Sequence, residues 1–260
     1  MTTNKAFVVL AALAAAWLAA GCASYTRMPS YERSQLRLMV SSETVATVHA
    51  VEGRGMGAEE QVQREVDRLL TLKPAARIPA HVVLYELPSA GPTEIKSSLK
   101  WLSLRQETSN AMKAALEQSG IFAQVDSLPE MLMPAGETPD LRSVRIAAAR
   151  AQADGVLIYS TETGYDYRAN GWALFYPTLI GLFAAPGSDL SSMAVSKAVL
   201  LDVHTGYIYA VLESYAQKSQ CAPYAALDWE GLEYAVRRGV LEALAQEAAA
   251  RAKSLAAPER

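Results

Sequence analysis

Few side chains in this chain could carry out catalysis, and their spacing keeps them apart. The histidines His49, His81 and His204 are far apart in the sequence and fall on different predicted elements. Glu162 and Asp166 lie on one face of a predicted strand, and four residues of strand separate them by about 13 Å. This is too far for a direct acid–base pair and wide even for an inverting glycosidase. We find no G-x-S-x-G, H-E-x-x-H or Walker motif. The sequence therefore predicts a protein that is not an enzyme and has no catalytic or metal-binding residues.

One glycine-rich segment has the spacing of a dinucleotide-binding loop. Gly53, Gly55 and Ala58 form a G-x-G-x-x-A pattern between a predicted strand, Thr44–Val51, and a predicted helix. In such loops the glycines let the backbone approach a pyrophosphate. No acidic residue follows at the end of a second strand about 20 residues later, where the pattern requires one. We interpret the segment as a flexible loop before a helix and predict no cofactor.

The N-terminus has the pattern of a secretory signal that ends at a cysteine. Lys5 is the only charged residue before Arg27, and it is followed by an apolar run at residues 6–20. This run is too short and too rich in alanine for a membrane span. Cys22 follows directly after Ala-Ala-Gly. This stretch resembles the lipobox of bacterial lipoproteins, although Ala19 occupies the position where leucine is commonest. The alternative is an ordinary cleaved signal with an incidental cysteine.

The lipobox resemblance carries expectations about anchoring and location. It implies that Cys22 is acylated with fatty acids such as palmitate and becomes the new N-terminus. Ala23 stands where the inner-membrane retention signal of that family has aspartate. The resemblance therefore implies a lipid anchor in the outer membrane, with the protein facing the periplasm. It also assigns residues 1–21 to the signal peptide and residues 22–57 to the anchor and tether.

Charge and cysteine content narrow the class of protein. Removal of residues 1–21 takes away Lys5 and no acidic residue, so the formal net charge falls from −3 to −4. A chain of this charge has no basic footprint for nucleic acid, and we exclude nucleic acid as a partner. Cys221 is then left without a partner within the chain. We favour a buried thiol over a free one, although Lys218–Pro223 is predicted as a loop.

The stretch from residue 153 to residue 215 organises the predicted fold. Alternation of apolar and polar residues predicts one strand from Val156 to Tyr167 and another from Ala194 to Val203. The turn Asp202–Gly206 then leads into a third strand, because glycine can take positive φ there. Further strands are predicted at Arg77–Leu87 and Ile121–Val125. Helices are predicted at Ala58–Lys73, at Glu94–Ser119, from Thr138 as N-cap to the stop at Asp154-Gly155, and at Asp228–Lys253.

These elements follow the order β-α-β-α-β, an apolar connector, then β-β-α. Strands that alternate with helices are typical of a layered α/β domain, and the final hairpin makes the sheet mixed. We therefore predict an α/β fold with a mixed sheet of about five strands and helices packed on it. Residues 58–260 are predicted to form a single domain.

Three runs within this domain resemble two known lipoprotein families. The runs A-D-G-V-L-I-Y-S-T-E-T-G-Y and D-V-H-T-G-Y-I-Y-A, followed by a closing helix, look like the periplasmic domain of the curli-secretion channel lipoprotein. The run L-F-Y-P-T-L-I-G-L-F looks more like the rhombotarget lipoproteins. The resemblance covers roughly Ile78–Ala250 and implies a fold more than a function. The chain ends in SLAAPER, without the rhombosortase tail, and has no counterpart of the channel's membrane hairpins.

The connector Trp172–Ala185 is the remaining signal for function. It is rich in aromatic and aliphatic residues, has no charge, and is interrupted by Pro177 and Gly181. We favour a buried cover over a face or edge of the sheet. The alternative is an exposed apolar patch that contacts a protein partner or the bilayer. The candidate contact surface consists of Trp172, Phe175, Tyr176, Leu179 and Phe183.

Together these features predict a lipid-anchored cell-envelope protein that acts through protein–protein contacts. Its predicted partners are the membrane, through the N-terminal lipid, and either a second copy or another envelope protein. A subunit of an outer-membrane secretion or transport assembly is one alternative function. A periplasmic hydrolase is the second.

Overall fold

A computed structural model describes residues 25–27, 58–75, 80–87, 99–133 and 140–256. Its elements confirm the predicted α/β class. In chain order they are β1 (Tyr25–Arg27), α1 (Ala58–Thr71), β2 (Ala80–Glu86), α2 (Leu99–Gln118), β3 (Phe122–Ser127), α3 (Leu141–Arg150), β4 (Gly155–Ala169), α4 (Leu179–Ala184), β5 (Ser188–Asp202), β6 (Ile208–Ala222) and α5 (Trp229–Ala256). Short 3-10 helices lie at Glu130–Leu132, Gly171–Phe175 and Tyr224–Ala226.

The sheet is mixed, as the sequence predicts. Its strand order is β3-β2-β4-β5-β6, and β1 pairs with β4. Strand β2 is parallel to both β3 and β4. Strands β5 and β6 form an antiparallel hairpin, in which the N–H of Asp202 donates to the carbonyl of Tyr207 at 2.8 Å. Gly206 in this turn has a φ of 76°, a conformation that favours glycine.

Helix α3 covers one face of the sheet. Val144, Ala147 and Ala148 of α3 are fully buried against side chains from β2, β4 and β5, among them Ile158 and Leu201. Spacings of three and four residues put these three side chains on one helix face, so a ten-residue helix can bury its whole apolar stripe.

The start of α3 corrects a predicted cap. Asp140 rather than Thr138 is the N-cap, and its carboxylate accepts the N–H of Ser143 at 2.7 Å. Ser143 accepts the Asp140 N–H in return, which completes a capping box. Burial by itself would raise the pKa of Asp140, but the hydrogen bonds from Ser143 outweigh it and the pKa is lowered.

A buried polar cluster links β2 with α2 and α5. The Arg237 guanidinium donates to the Glu86 carboxylate and, at 3.3 Å, to the hydroxyl of Thr108. The hydroxyl of Tyr159 donates to the same carboxylate at 3.4 Å. Burial, reinforced by the charge of Glu86, raises the pKa of Tyr159. Apolar side chains of the same two helices, such as Met112 and Val240, are also buried.

The chain divides into two compact units. One unit contains residues 25–27, 163–194 and 217–236, and the other contains the remaining described residues. Strands β4, β5 and β6 and helix α5 each contribute residues to both units. The predicted strand Thr44–Val51 and the glycines of the G-x-G-x-x-A segment lie outside the described residues. The predicted limits of the signal, tether and domain stay predictions.

Candidate contact surfaces

The connector forms two short, capped helices. The side chain of Asn170 accepts the N–H of Trp172 at 3.0 Å and so caps the 3-10 helix Gly171–Phe175. The hydroxyl of Thr178 accepts the N–H of Gly181 at 2.9 Å and caps α4. These caps satisfy backbone donors that the ends of such short helices leave open. The connector is therefore locally ordered despite its short helices.

The small residues of the connector lie on its inner side. A Cβ atom on Gly187 would come within 2.5 Å of the backbone nitrogen of Ala173, and one on Gly181 would meet the carbonyl of Phe175. Gly181 and the neighbouring Gly187 are buried, whereas five large side chains of the connector, those of Trp172, Leu174, Phe175, Ile180 and Phe183, are exposed. The connector thus packs closely on itself through its glycines and points its bulky apolar groups outward.

The favoured interpretation of the connector as a buried cover is wrong for most of its large side chains. Ile180 is 80% exposed and Phe183 is 63% exposed. We define the connector surface as the five exposed side chains of Trp172, Leu174, Phe175, Ile180 and Phe183. These five side chains are exposed, while the backbone at Gly181 and at the neighbouring Gly187 packs closely on Phe175 and Ala173.

Two members of the predicted contact surface differ from the rest. The side chain of Tyr176 is half-buried, and its hydroxyl lies 2.7 Å from the hydroxyl of Ser188. Leu179 begins α4, and its side chain is outside the described part of the structure. A contact role for the predicted residues stays a prediction.

An open cleft of about 690 Å³ lies beside the connector. It is lined by Asn170, Gly171, Trp172, Phe175, Pro186 and Cys221. Cys221 is exposed near the end of β6, so the favoured buried thiol and the predicted loop around it are both wrong. A hydrogen bond with Asp189, together with some burial and the charge of that carboxylate, raises the pKa of Cys221. This keeps the thiol protonated and makes it a weak nucleophile.

A cluster of aromatic rings holds the end of β4 against the start of α5. The rings of Tyr165 and Trp229 pack edge to face with centroids 5.3 Å apart. Tyr167 packs against Trp229 at 5.8 Å and against Tyr224 at 6.2 Å. Such pairs stabilise by more than the burial of their area alone. They position the last residues of β4, from which the connector departs.

A second exposed apolar surface lies on β6. Val211 and Tyr215 are 70% and 78% exposed, and Ile208 is also exposed. Lys197 and Glu213 form an ion pair next to it at 3.8 Å. We define the β6 surface as Val211, Glu213 and Tyr215, which alternate along the strand and so share one of its faces. Sequence analysis missed it, because alternation along β6 predicts a strand but not that the strand lies at the edge of the sheet.

The residues first considered for catalysis are not brought together. His81 contacts the carbonyl of Gln152 and the carboxylate of Asp126, each at 3.1 Å. His204 lies on another element, 3.9 Å from Asp154. Within the described ranges, no group of three or more His, Cys, Asp and Glu side chains could hold a metal ion. His49 and Cys22 lie outside the described residues.

Of the helices that are described, none has the length and hydropathy to cross a membrane.

Comparison with known proteins identifies only distant structural likeness. No protein-family model matches the chain, and the comparison with curated proteins finds no match. A PelC dodecamer from Paraburkholderia phytofirmans is 16% identical and has a TM-score of 0.32, with 67% of this chain and 93% of that chain covered. A minor lipoprotein from Acinetobacter baumannii is 11% identical and has a TM-score of 0.31, with 67% of this chain and 90% of that chain covered. Lipoprotein GNA1162 from Neisseria meningitidis is 15% identical and has a TM-score of 0.29, with 54% of this chain and 81% of that chain covered. At these scores the likeness carries no argument about fold or function.

Proposed function

We propose that this protein is a lipid-anchored cell-envelope protein that acts through protein–protein contacts and not through catalysis. Its anchor is Cys22, and its location is the outer membrane, facing the periplasm. The lipobox-like stretch before Cys22 supports the anchor. The exposed, apolar β6 surface on an edge strand is the observation that supports the contacts.

The position and composition of β6 suit it to pairing. It is the last strand in the sheet order and is 15 residues long. Natural proteins protect edge strands with charges, prolines or bulges, and an exposed apolar edge invites another strand. Between Ile208 and Ala222 the only charged residues are Glu213 and Lys218, which carry opposite charges. The strand therefore has no net charge that would oppose the approach of a second strand.

The partner that we propose for β6 is a second copy of this chain. A strand can pair antiparallel with its own copy about a two-fold axis, so each surface supplies its own complement. Tyr215 and Val211 of the two copies would then exclude water from the new contact. Aromatic residues are enriched in such interface cores.

Photo-cross-linking in cells tests this proposal. A photo-reactive phenylalanine analogue in place of Tyr215 should give an adduct of twice the mass of the mature chain. The same analogue in place of Gln118, which is exposed on α2, should give none. Val211→Asp introduced with the Tyr215 probe should remove the adduct, whereas Met131→Asp, at a 95% exposed residue, should not.

Three results would contradict parts of the proposal. Absence of any adduct at position 215, or an equal adduct at position 118, would remove the contact role of the β6 surface. An adduct with a different protein would replace the second copy by that partner.

Neither a secretion subunit nor a periplasmic hydrolase is favoured by a specific feature of the described residues, and we propose neither.

A further inference from the structure

The connector surface differs in chemistry from the β6 surface. Residues 170–188 contain no charged side chain. Protein–protein interfaces ordinarily surround their apolar core with a polar rim that supplies hydrogen bonds. The connector surface exposes Trp, Leu, Phe and Ile side chains from a segment that lacks Asp, Glu, Lys and Arg altogether. This composition suits the boundary between lipid headgroups and acyl chains, where tryptophan is enriched.

Several polar groups of the connector and its flanking residues are hydrogen-bonded to one another within residues 170–187. The Asn170 N–H donates to the Gly187 carbonyl at 2.9 Å, which closes the base of the connector. The hydroxyl of Thr178 donates to the carbonyl of Phe175 at 2.7 Å. The N–H groups of Tyr176 and Thr178 donate to carbonyls of the preceding turn. A segment that enters lipid must satisfy its backbone internally, because lipid offers no replacement for water.

The N-terminal strand runs beside the same end of β4. Strand β1 pairs antiparallel with β4, and Tyr25 stands opposite Tyr167. Tyr167 is three residues before Asn170, a distance of about 10 Å along a strand. Because the pairing is antiparallel, Tyr25 is the residue of β1 that pairs nearest to the connector end of β4. Cys22 precedes Tyr25 by three residues, which span about 11 Å at most.

From these observations we propose that the connector surface inserts into the bilayer leaflet that holds the acyl chains of Cys22. The pairing of β1 with β4 couples the two attachments, since it ties the acylated end of the chain to the strand from which the connector departs. Anchor and connector then form two points of contact with one membrane. This inference rests on the proposed lipid anchor and names the bilayer as the partner of the connector surface.

The insertion has a consequence for how the protein sits at the membrane. A lipid anchor alone leaves a protein free to rotate about its tether. Five apolar side chains within residues 172–183 provide a second, apolar attachment close to the first. The end of β4 would therefore face the membrane in a fixed orientation.

Fluorescence of Trp172 tests the insertion. The probe is the mature acylated protein in vesicles of phosphatidylethanolamine and phosphatidylglycerol with bromine-labelled acyl chains, which quench tryptophan only at close range. We expect quenching of the wild-type protein. The Trp172→Phe variant retains Trp101 and Trp229 and should lose the quenchable part of the emission.

Charged substitutions separate the connector from the anchor. A double variant, Ile180→Asp and Phe183→Asp, should lower the membrane-inserted fraction of Trp172 by about tenfold or more, since two apolar side chains that would enter the lipid are replaced by two charges. It should still float with the vesicles through its acyl chains. Met131→Asp places the same charge on an exposed apolar site outside the connector and should leave quenching unchanged. Circular dichroism should be unchanged in all of these variants, because their sites are exposed.

The possible outcomes distinguish the inference from the proposed function. A protein that floats with vesicles while Trp172 stays unquenched overturns the insertion and leaves the anchor intact. Equal quenching in the double variant and the wild type also overturns it. A mature protein that carries no fatty acid and stays in the supernatant overturns the anchor itself. A photo-cross-linker at position 183 that captures a protein in cells, with no capture of lipid, replaces the bilayer by a protein partner.

Discussion

The guanidinium of Arg237, which is 2% exposed, donates to the carboxylate of Glu86. Arg105 donates to the same carboxylate at 2.8 Å, and Thr108 accepts a further bond from Arg237. A charge removed from water in this way is stable only if its partners are all present. The ion pair therefore stabilises the contact between helix α5 and strand β2 only while both charged groups keep their hydrogen-bond partners.

Removal of Glu86 should destabilise the protein strongly. We expect Glu86→Ala to lower the free energy of unfolding by about 3–5 kcal/mol, because it leaves Arg237 buried without its carboxylate. Urea denaturation measures the loss. Glu242→Ala is the matched control, since it breaks the exposed pair with Arg238 and should cost at most about 1 kcal/mol. Equal effects of the two substitutions would contradict the importance of the buried pair.

Truncation of the central strands should also be costly. Ile158 of β4 and Leu201 of β5 are fully buried in the cluster beneath α3. Replacement of either by alanine should cost about 2–5 kcal/mol through lost burial and the cavity left behind. Leu70→Ala, at an exposed site of α1, should change stability by no more than about 0.5 kcal/mol. Unchanged unfolding midpoints for both core variants would show that these side chains do not pack as described.

The carboxyl of Glu162 should make stability depend on pH. Burial raises its pKa above the ordinary value of 4.5, and the charge of Lys197 offsets this only in part. The protonated form is thus the one that suits the folded state. The stabilisation of the folded state by this bound proton is fully present below pH 4.5. It is lost as the pH rises through the raised pKa of Glu162.

Glu162→Gln should therefore be more stable than the wild type at neutral pH, and the two should converge below pH 4.5. Thermal unfolding across pH measures the difference. Glu107→Gln, at an exposed site of α2, is the control and should not give this stabilisation at neutral pH. A wild type that is the more stable form at neutral pH would show that the attraction of Lys197 exceeds the cost of burial.

The anchor prediction concerns Cys22. Cys22→Ser should leave an uncleaved precursor or a soluble protein, because the acylation site is lost. One acyl chain binds membranes only marginally, whereas the several chains of the lipoprotein modification give stable attachment. Labelling with radioactive palmitate and fractionation of the envelope measure both effects. A variant that remains in the outer membrane without label would refute the role of Cys22.

Local sequence pattern determined the elements of the fold. Alternation of apolar and polar residues located β4 and β5, and the glycine at position 206 marked the hairpin between β5 and β6. Apolar residues at helical spacing likewise located α3 and α5. Periodicity and positive φ are properties of neighbouring residues, so the sequence carries them directly. The cap of α3 was misplaced by two residues, because Thr138 and Asp140 are both good N-caps and only the bonds to Ser143 distinguish them.

Exposure was decided by tertiary structure. The connector and Cys221 were both expected to be buried and are exposed, whereas Arg237 belongs to a residue type that is rarely buried and is almost fully enclosed. Whether a side chain meets water depends on the elements that pack over it, and those elements are distant in the sequence. Arg237 is enclosed because Glu86 and Thr108, from β2 and α2, supply its hydrogen bonds. Five large apolar side chains of the connector are exposed because no distant element among the described residues fully covers them, while the backbone at Gly181 packs closely on Phe175.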